Sequence, residues 1–449
     1  MSNERIPLSL GTENISKLLT QYAVPAIIAM TAASLYNITD SIFIGHGVGP
    51  LALSGLAITF PLMNLAAAFG ALVGVGASTL LSIRMGQKDY ETANHILGNV
   101  FTLNLIMGIG FSVVVLIFLK PILLFFGASA DTLPYAHDFM VIILVGNVVT
   151  HMYLGLNAVL RSAGTPKKAM MATIYTVLIN LVLNPLFIFG FHWGIKGSAF
   201  ATVISQVIVL LWQFHLFNDK NFFIHWKKGI YKLNKKIVSE SLSIGLSPFL
   251  MNAVACLIVI LVNQQLIRHG GDLAVGAYGI VNRVAFLFIM IVVGLNQGMQ
   301  PIAGYNYGAR LNRRVMDVLK KSIAVATLIM VIGTTIVELF PHGVASIFTT
   351  ENELVDLAVP GLRWVFLCYP LVGFQMVTSG FFQSIGKPKK SIILSLTRQV
   401  LFLIPILLIL PDIIGINGVW LSMAISDFFS VVLAAFLMRS ELKYFRQEG

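Results

Sequence analysis

Stretches of about twenty apolar residues, separated by short polar turns, recur along nearly the whole 449-residue chain. A helix needs about 20 residues to cross the hydrocarbon of a bilayer. Helices also satisfy their own backbone hydrogen bonds where water is absent. Repeated runs of this length therefore point to an all-α membrane protein. Composition agrees, since 11% of the residues are charged against about 25% in a soluble domain. Apolar runs between polar punctuation predict twelve transmembrane helices, near 16–43, 52–82, 94–119, 134–160, 168–189, 197–217, 238–267, 274–303, 315–339, 357–384, 391–410 and 418–438. Several exceed what the bilayer needs, which implies tilt or projection beyond it.

The first fifteen residues are polar and do not read as a cleavable signal peptide. Basic residues then set the sidedness. Alternate loops and the termini (Arg5, Lys17, Arg439, Lys443 and Arg446) carry 24 of the 30 lysines and arginines. The opposite loops hold only Lys120, Lys196 and Arg268. Such asymmetry places the basic side in the cytoplasm, so both termini are expected there and the chain in the inner (plasma) membrane. The net charge of +11 then faces the headgroups of the lipid bilayer, and no nucleic-acid partner is implied. Cys256 and Cys368 lack metal-ligand spacing and read as packing residues.

An internal repeat divides the chain. Arg161-Ser-Ala-Gly-Thr-Pro-Lys-Lys168 recurs as Gln383-Ser-Ile-Gly-Lys-Pro-Lys-Lys390, and near the same offset Gly49, Gly76 and Gly86 pair with Gly271, Gly298 and Gly308. Pro25 pairs with Pro248. The offset spans six helices, so two parallel, pseudo-symmetric six-helix bundles are expected: residues 1–218, a cytoplasmic linker 219–237, and residues 238–449. Transporters place substrate between such repeats.

Ionisable side chains inside a membrane are functional candidates by default. Asp40 is the clearest, in Ser34-Leu-Tyr-Asn-Ile-Thr-Asp40, with Tyr36 four residues earlier on the same helical face and Asn37 nearby. A helix-end acid near the outer surface is the plainer reading. In the fifth span Asn180 and Asn184 share a face, and Pro185 frees the carbonyl of Leu181. These oxygens, with Thr202 in the sixth span, suit a proton relay or a small cation; ordinary interhelical amide bonding explains them equally well. The second half lacks such an acid, because Asp40 maps onto Asn263. Its Arg398 and Asp427 are expected to form a buried pair.

Asn296-Gln-Gly-Met-Gln-Pro-Ile-Ala-Gly-Tyr-Asn-Tyr-Gly-Ala309 resembles the eighth-helix signature of multidrug and toxic compound extrusion (MATE) transporters, looking most like the DinF-like branch. The Gly-Xaa-Pro-Lys-Lys turns and the run Asp40-Ser-Ile-Phe-Ile-Gly45 agree. The resemblance implies a V-shaped pair of lobes exporting cationic or amphipathic organic compounds by alternating access, in antiport with protons or sodium. Carried over residue by residue, Asp40 matches the first-helix acid, Asn180 the fifth-helix amide and Thr202 the sixth-helix hydroxyl. Tyr36 and Asn157 match polar neighbours of the cavity, and Pro25 the proline where the first helix bends. Asn184 departs from the family's frequent Asp, which favours protons over sodium at Asp40, Asn180 and Thr202. No cofactor and no enzymatic activity are implied, and a monomer is expected. The rival reading, a lipid-linked oligosaccharide flippase, needs a large cationic groove, whereas the basic residues assigned to neither set of loops are only Arg283, Arg363 and Arg398.

Overall fold

The computed structural model describes residues 9–220, 222–349 and 351–447, and Arg5 lies outside the described residues. Among them there is no strand, and eleven helices are long and apolar enough to cross a membrane, or twelve when one bent pair is taken as a single span. The first six are Ile15–Gly47, Pro50–Gly86, Tyr90–Ile117, Leu133–Ser162, Pro166–Gly190 and Gly194–Asn218. After the linker come Lys235–Gly271, Leu273–Gly308 and Asn312–Leu339. The tenth span is Asn352–Phe366 followed by Tyr369–Ser384, bent by 52°, and the last two are Pro388–Ile414 and Ile416–Lys443.

Proline chemistry accounts for the irregular points. A proline has no N–H and crowds the preceding turn, so an α-helix must bend or widen around it. The break in the tenth span falls at Leu367 and Cys368, just before Pro370. In the fifth span Pro185 leads into a π-helical turn at Leu186–Gly190. In the eleventh, a π-helical segment at Thr397–Leu403 ends just before Pro405.

The chain forms two compact units. One contains Ile28–Phe249, and the other contains Asn14–Ile27 with the chain from Leu250 onward. The division thus runs through the first and seventh helices beside Pro25 and Pro248, and not through the linker expected at 219–237. Close packing explains this. A side chain at Gly76 would meet the carbonyl of Ser241 at 1.9 Å, and one at the repeat-related Gly298 would meet the backbone of Ala23 at 2.4 Å. Each glycine lets the start of one long helix lie directly against its neighbour.

The linker itself is strapped down. Thr102 donates to the Tyr231 carbonyl at 2.7 Å, Asn99 accepts from the Asn234 N–H at 2.9 Å, and Trp226 packs among Phe101, Phe214 and Phe217. The repeat is also visible in the backbone. Lys88 and Arg310, 222 residues apart, share a positive φ, as do Gly164 and Gly386.

Candidate functional site

Three helices of the first unit each contribute a pair of polar side chains four residues apart. They are Tyr36 and Asp40 from the first span, Asn180 and Asn184 from the fifth, and Ser198 and Thr202 from the sixth. Residues at this spacing lie one above the other on a helical face, so the three pairs stack into two layers. In one layer the Tyr36 and Thr202 hydroxyls lie 2.8 Å apart, and Asn180 Nδ2 donates to them at 3.3 and 3.2 Å. In the other, Ser198 Oγ donates to Asp40 Oδ1 at 2.7 Å, and Asn184 Nδ2 donates to the same oxygen. Asn184 Nδ2 also reaches Asn180 Oδ1 at 3.4 Å and joins the layers. A continuous chain of hydrogen bonds therefore links Asp40 to Tyr36.

The next turn of each helix is apolar. Ile44 follows Asp40 and Ile188 follows Asn184, while Ile195 and Ala199 flank Ser198; all are buried in one hydrophobic cluster with Leu62, Leu119 and Phe139. Asp40, 8% exposed, is thus an interior residue sealed on this side. It is not the surface helix-end acid that was the plainer alternative. Two glycines permit the approach. A Cβ at Gly47 would lie 2.3 Å from Ile188, and one at Gly197 would lie 3.0 Å from the Phe187 backbone. The π-turn after Pro185 sits between them, an irregularity that recurs at functional positions in helices.

Both donors to the Asp40 carboxylate fall on Oδ1, and Asn184 Oδ1 is a buried acceptor with no hydrogen-bond partner among the described residues. The arrangement can accept one more proton or a small cation. Among the described residues no cluster of three His, Cys, Asp or Glu side chains is placed to hold a metal.

Of the residues singled out from sequence, Asp40, Tyr36, Asn180, Asn184 and Thr202 come together. Asn37 is exposed on the first helix. Asn157 is buried but bonds Thr173 at 3.1 Å, two turns along the fifth span from Asn180, and lies outside the network. Ser198 was missed. Its signal was its position four residues before Thr202, the same spacing that marked the other two pairs. In the second unit Arg398 and Asp427 do form an ion pair, at 2.8 Å.

A carboxylate held in a private hydrogen-bond network, within a unit built of membrane-length helices, is the construction of an integral-membrane transporter. Comparison with known proteins agrees. The sequence profile of the MatE family matches residues 25–186 and 244–409. The chain is 28% identical over 427 residues to the multidrug export protein MepA of Staphylococcus haemolyticus, covering 95% of this chain and 94% of that one. It is 26% identical over 431 residues to MepA of Staphylococcus aureus, covering 95% of each. A solved multidrug resistance MATE family transporter of the MOP superfamily, in an outward-facing conformation, superimposes with a TM-score of 0.92 at 25% identity over 98% of each chain. This chain belongs to the MatE family of multi-pass membrane transporters; its members are transporters and not enzymes.

Proposed function

We propose that the protein exports cationic or amphipathic organic compounds by proton-coupled antiport, with Asp40 as its titrating switch. The carrying observation is the two-layer network that joins Asp40 to Tyr36 through Asn184 and Asn180. With Asp40 ionised, Ser198 and Asn184 both donate to it. A proton arriving on the carboxyl makes it a donor, and the orphan Asn184 Oδ1 is the acceptor it needs. Turning that amide breaks the bond from Asn184 to Asn180 and releases Asn180 from its fixed position on Tyr36 and Thr202. Protonation is in this way transmitted one helical turn, from the sealed apolar cluster toward the polar flank of the first helix. There Tyr36 and the exposed Asn37 meet substrate. Asn157, engaged with Thr173, has no part in this reading.

Both termini face the cytoplasm of a cell whose plasma membrane holds the transporter, because the basic loops and termini share one side. Alternating access follows a bend of the first helix at Pro25, two residues from where that helix passes from one compact unit to the other. Protons are favoured over sodium, since a single carboxylate supplies little negative charge for holding a metal ion. A potential of 100 mV is worth about 2.3 kcal/mol per charge, enough for roughly fiftyfold accumulation of a neutral substrate per proton. The protein works as a monomer, each chain carrying a complete coupling network.

The test is uptake of a fluorescent organic cation into vesicles under a pH gradient alone and then a sodium gradient alone. Uptake with the first and not the second is expected. Uptake under a sodium gradient alone would overturn proton coupling, and no uptake under either would overturn antiport.

A further inference from the structure

The linker between the two halves is held more firmly than a connection needs. Asn94, Gly98, Asn99 and Thr102 lie along one side of the third span, and each seats the linker backbone. Asn94 Oδ1 accepts from the His225 N–H at 3.3 Å, Asn99 Nδ2 donates to the Lys232 carbonyl at 3.3 Å, and Thr102 donates to that of Tyr231. A Cβ at Gly98 would meet the Ile230 carbonyl oxygen at 2.2 Å. The repeat-related residues of the second half are Met316, Lys320, Lys321 and Ala324. The seat is therefore particular to the linker and not a legacy of the repeat.

Fixed in this way, the linker closes a cavity of about 380 Å³ within the first unit, lined by Phe101, Phe214, His215, Asn218, Trp226 and Tyr231. Phe214, His215 and Asn218 belong to the last five residues of the sixth span, Gly194–Asn218, so the cavity lies at the level where that helix leaves the membrane. Its wall is aromatic: Trp226 and Tyr231 are stacked with centroids 5.9 Å apart, and Phe101 stands edge-on to both. Its polar groups are His215 and Asn218, both exposed. The rim is basic. Lys220 lies two residues beyond Asn218, Lys227 and Lys228 follow Trp226, and Lys232 follows Tyr231; all four are exposed, as are Lys235 and Lys236. Against these six lysines, residues 218–236 contain one acid, Asp219. Lysines clustered just beyond a membrane helix attract anionic headgroups, and tryptophan and tyrosine favour the same interfacial depth. A cation at this rim would meet like charge.

We propose that the strapped linker is a binding site for one anionic phospholipid of the leaflet that the basic loops face. The lysines hold its phosphate, His215 and Asn218 bond oxygens of its headgroup and glycerol, and the aromatic wall packs against the ester-linked start of its chains. The cavity has room for a headgroup and its glycerol, and the acyl chains stay in the bilayer. The site goes beyond the export reading above and does not depend on which ion drives transport.

The test is native mass spectrometry of the purified protein in detergent, titrated with phosphatidylglycerol or with phosphatidylcholine. One retained phosphatidylglycerol per chain is expected, with phosphatidylcholine held at least tenfold more weakly. A lysine beside an anionic headgroup is worth about fivefold in affinity, so Lys227→Gln with Lys232→Gln should weaken phosphatidylglycerol about twenty-fivefold. Arg313→Gln with Lys320→Gln, exposed bases of the second unit, should change it less than twofold. Asn218→Trp fills the cavity while leaving every lysine in place, and should abolish the retained lipid. Should that variant fail to fold, Tyr231→Ala, at a position 43% exposed, removes part of the wall and should weaken binding at least fivefold. Equal retention of the two lipids, or displacement of phosphatidylglycerol by millimolar glycerol 3-phosphate, would overturn the proposal. So would undiminished binding in the cavity variants, which would mean attraction to surface charge alone.

Discussion

Replacing Ser198 by Ala removes one oxygen atom and one of the two hydrogen bonds that Asp40 accepts. Nothing else at this fully buried position changes. A hydrogen bond to a charged group contributes about 1.5–3 kcal/mol. The bond is made to the ionised carboxylate, so its loss makes the protonated form easier to reach. Serine still interacts with a protonated carboxyl, which puts the net effect near the low end of that range. About 1.4 kcal/mol corresponds to a tenfold change in proton binding. The external proton concentration giving half-maximal exchange in Ser198→Ala vesicles is therefore expected to fall about tenfold. Ser205→Ala is the control, because among the described residues Ser205 Oγ bonds the Thr202 carbonyl on its own helix and not Asp40; its pH profile should match the wild type. A Ser198→Ala protein made at normal levels with an unshifted profile would refute the placement of Asp40 in the coupling step.

Asn184→Asp puts a second carboxylate beside Asp40, and a sodium gradient should then drive transport that it does not drive in the parent, as measured by dye uptake in potassium-loaded vesicles. Gly47→Ala forces a methyl to 2.3 Å from Ile188. Overpacking of this kind typically costs about 1–3 kcal/mol, so a lower thermal midpoint in detergent and slower transport are both expected, while Gly49→Ala, with nothing within 4 Å but a φ of +116°, should lose stability through backbone strain without disturbing the network.

Much of this architecture is legible in the sequence. Twelve apolar runs and a repeat at near-constant offset suffice for the helix count and the two-fold internal plan, because the bilayer leaves the backbone so few choices. The i, i+4 pairs Tyr36–Asp40 and Asn180–Asn184 were legible for a related reason: polar residues are costly in hydrocarbon, so their spacing carries information. Ser198 escaped because serine is common in membrane helices and binds its own backbone at little cost, leaving no mark in composition. Asn157, expected as a polar neighbour of the cavity, is a buried amide whose partner is Thr173, outside the network. The division at Pro25 and Pro248 was hidden as well. It depends on the close backbone approaches at Gly76 and Gly298, and the repeat marked those glycines without saying what they touch.

The central claim is that one carboxylate in the first unit couples proton entry to export. Asp40→Asn keeps the size and polarity of the side chain and removes its titration. Uptake of a fluorescent organic cation into vesicles driven by a pH gradient alone should fall to the protein-free background in Asp40→Asn, while binding of the same dye to the purified variant persists. Transport at the wild-type rate by Asp40→Asn under that gradient would contradict the account.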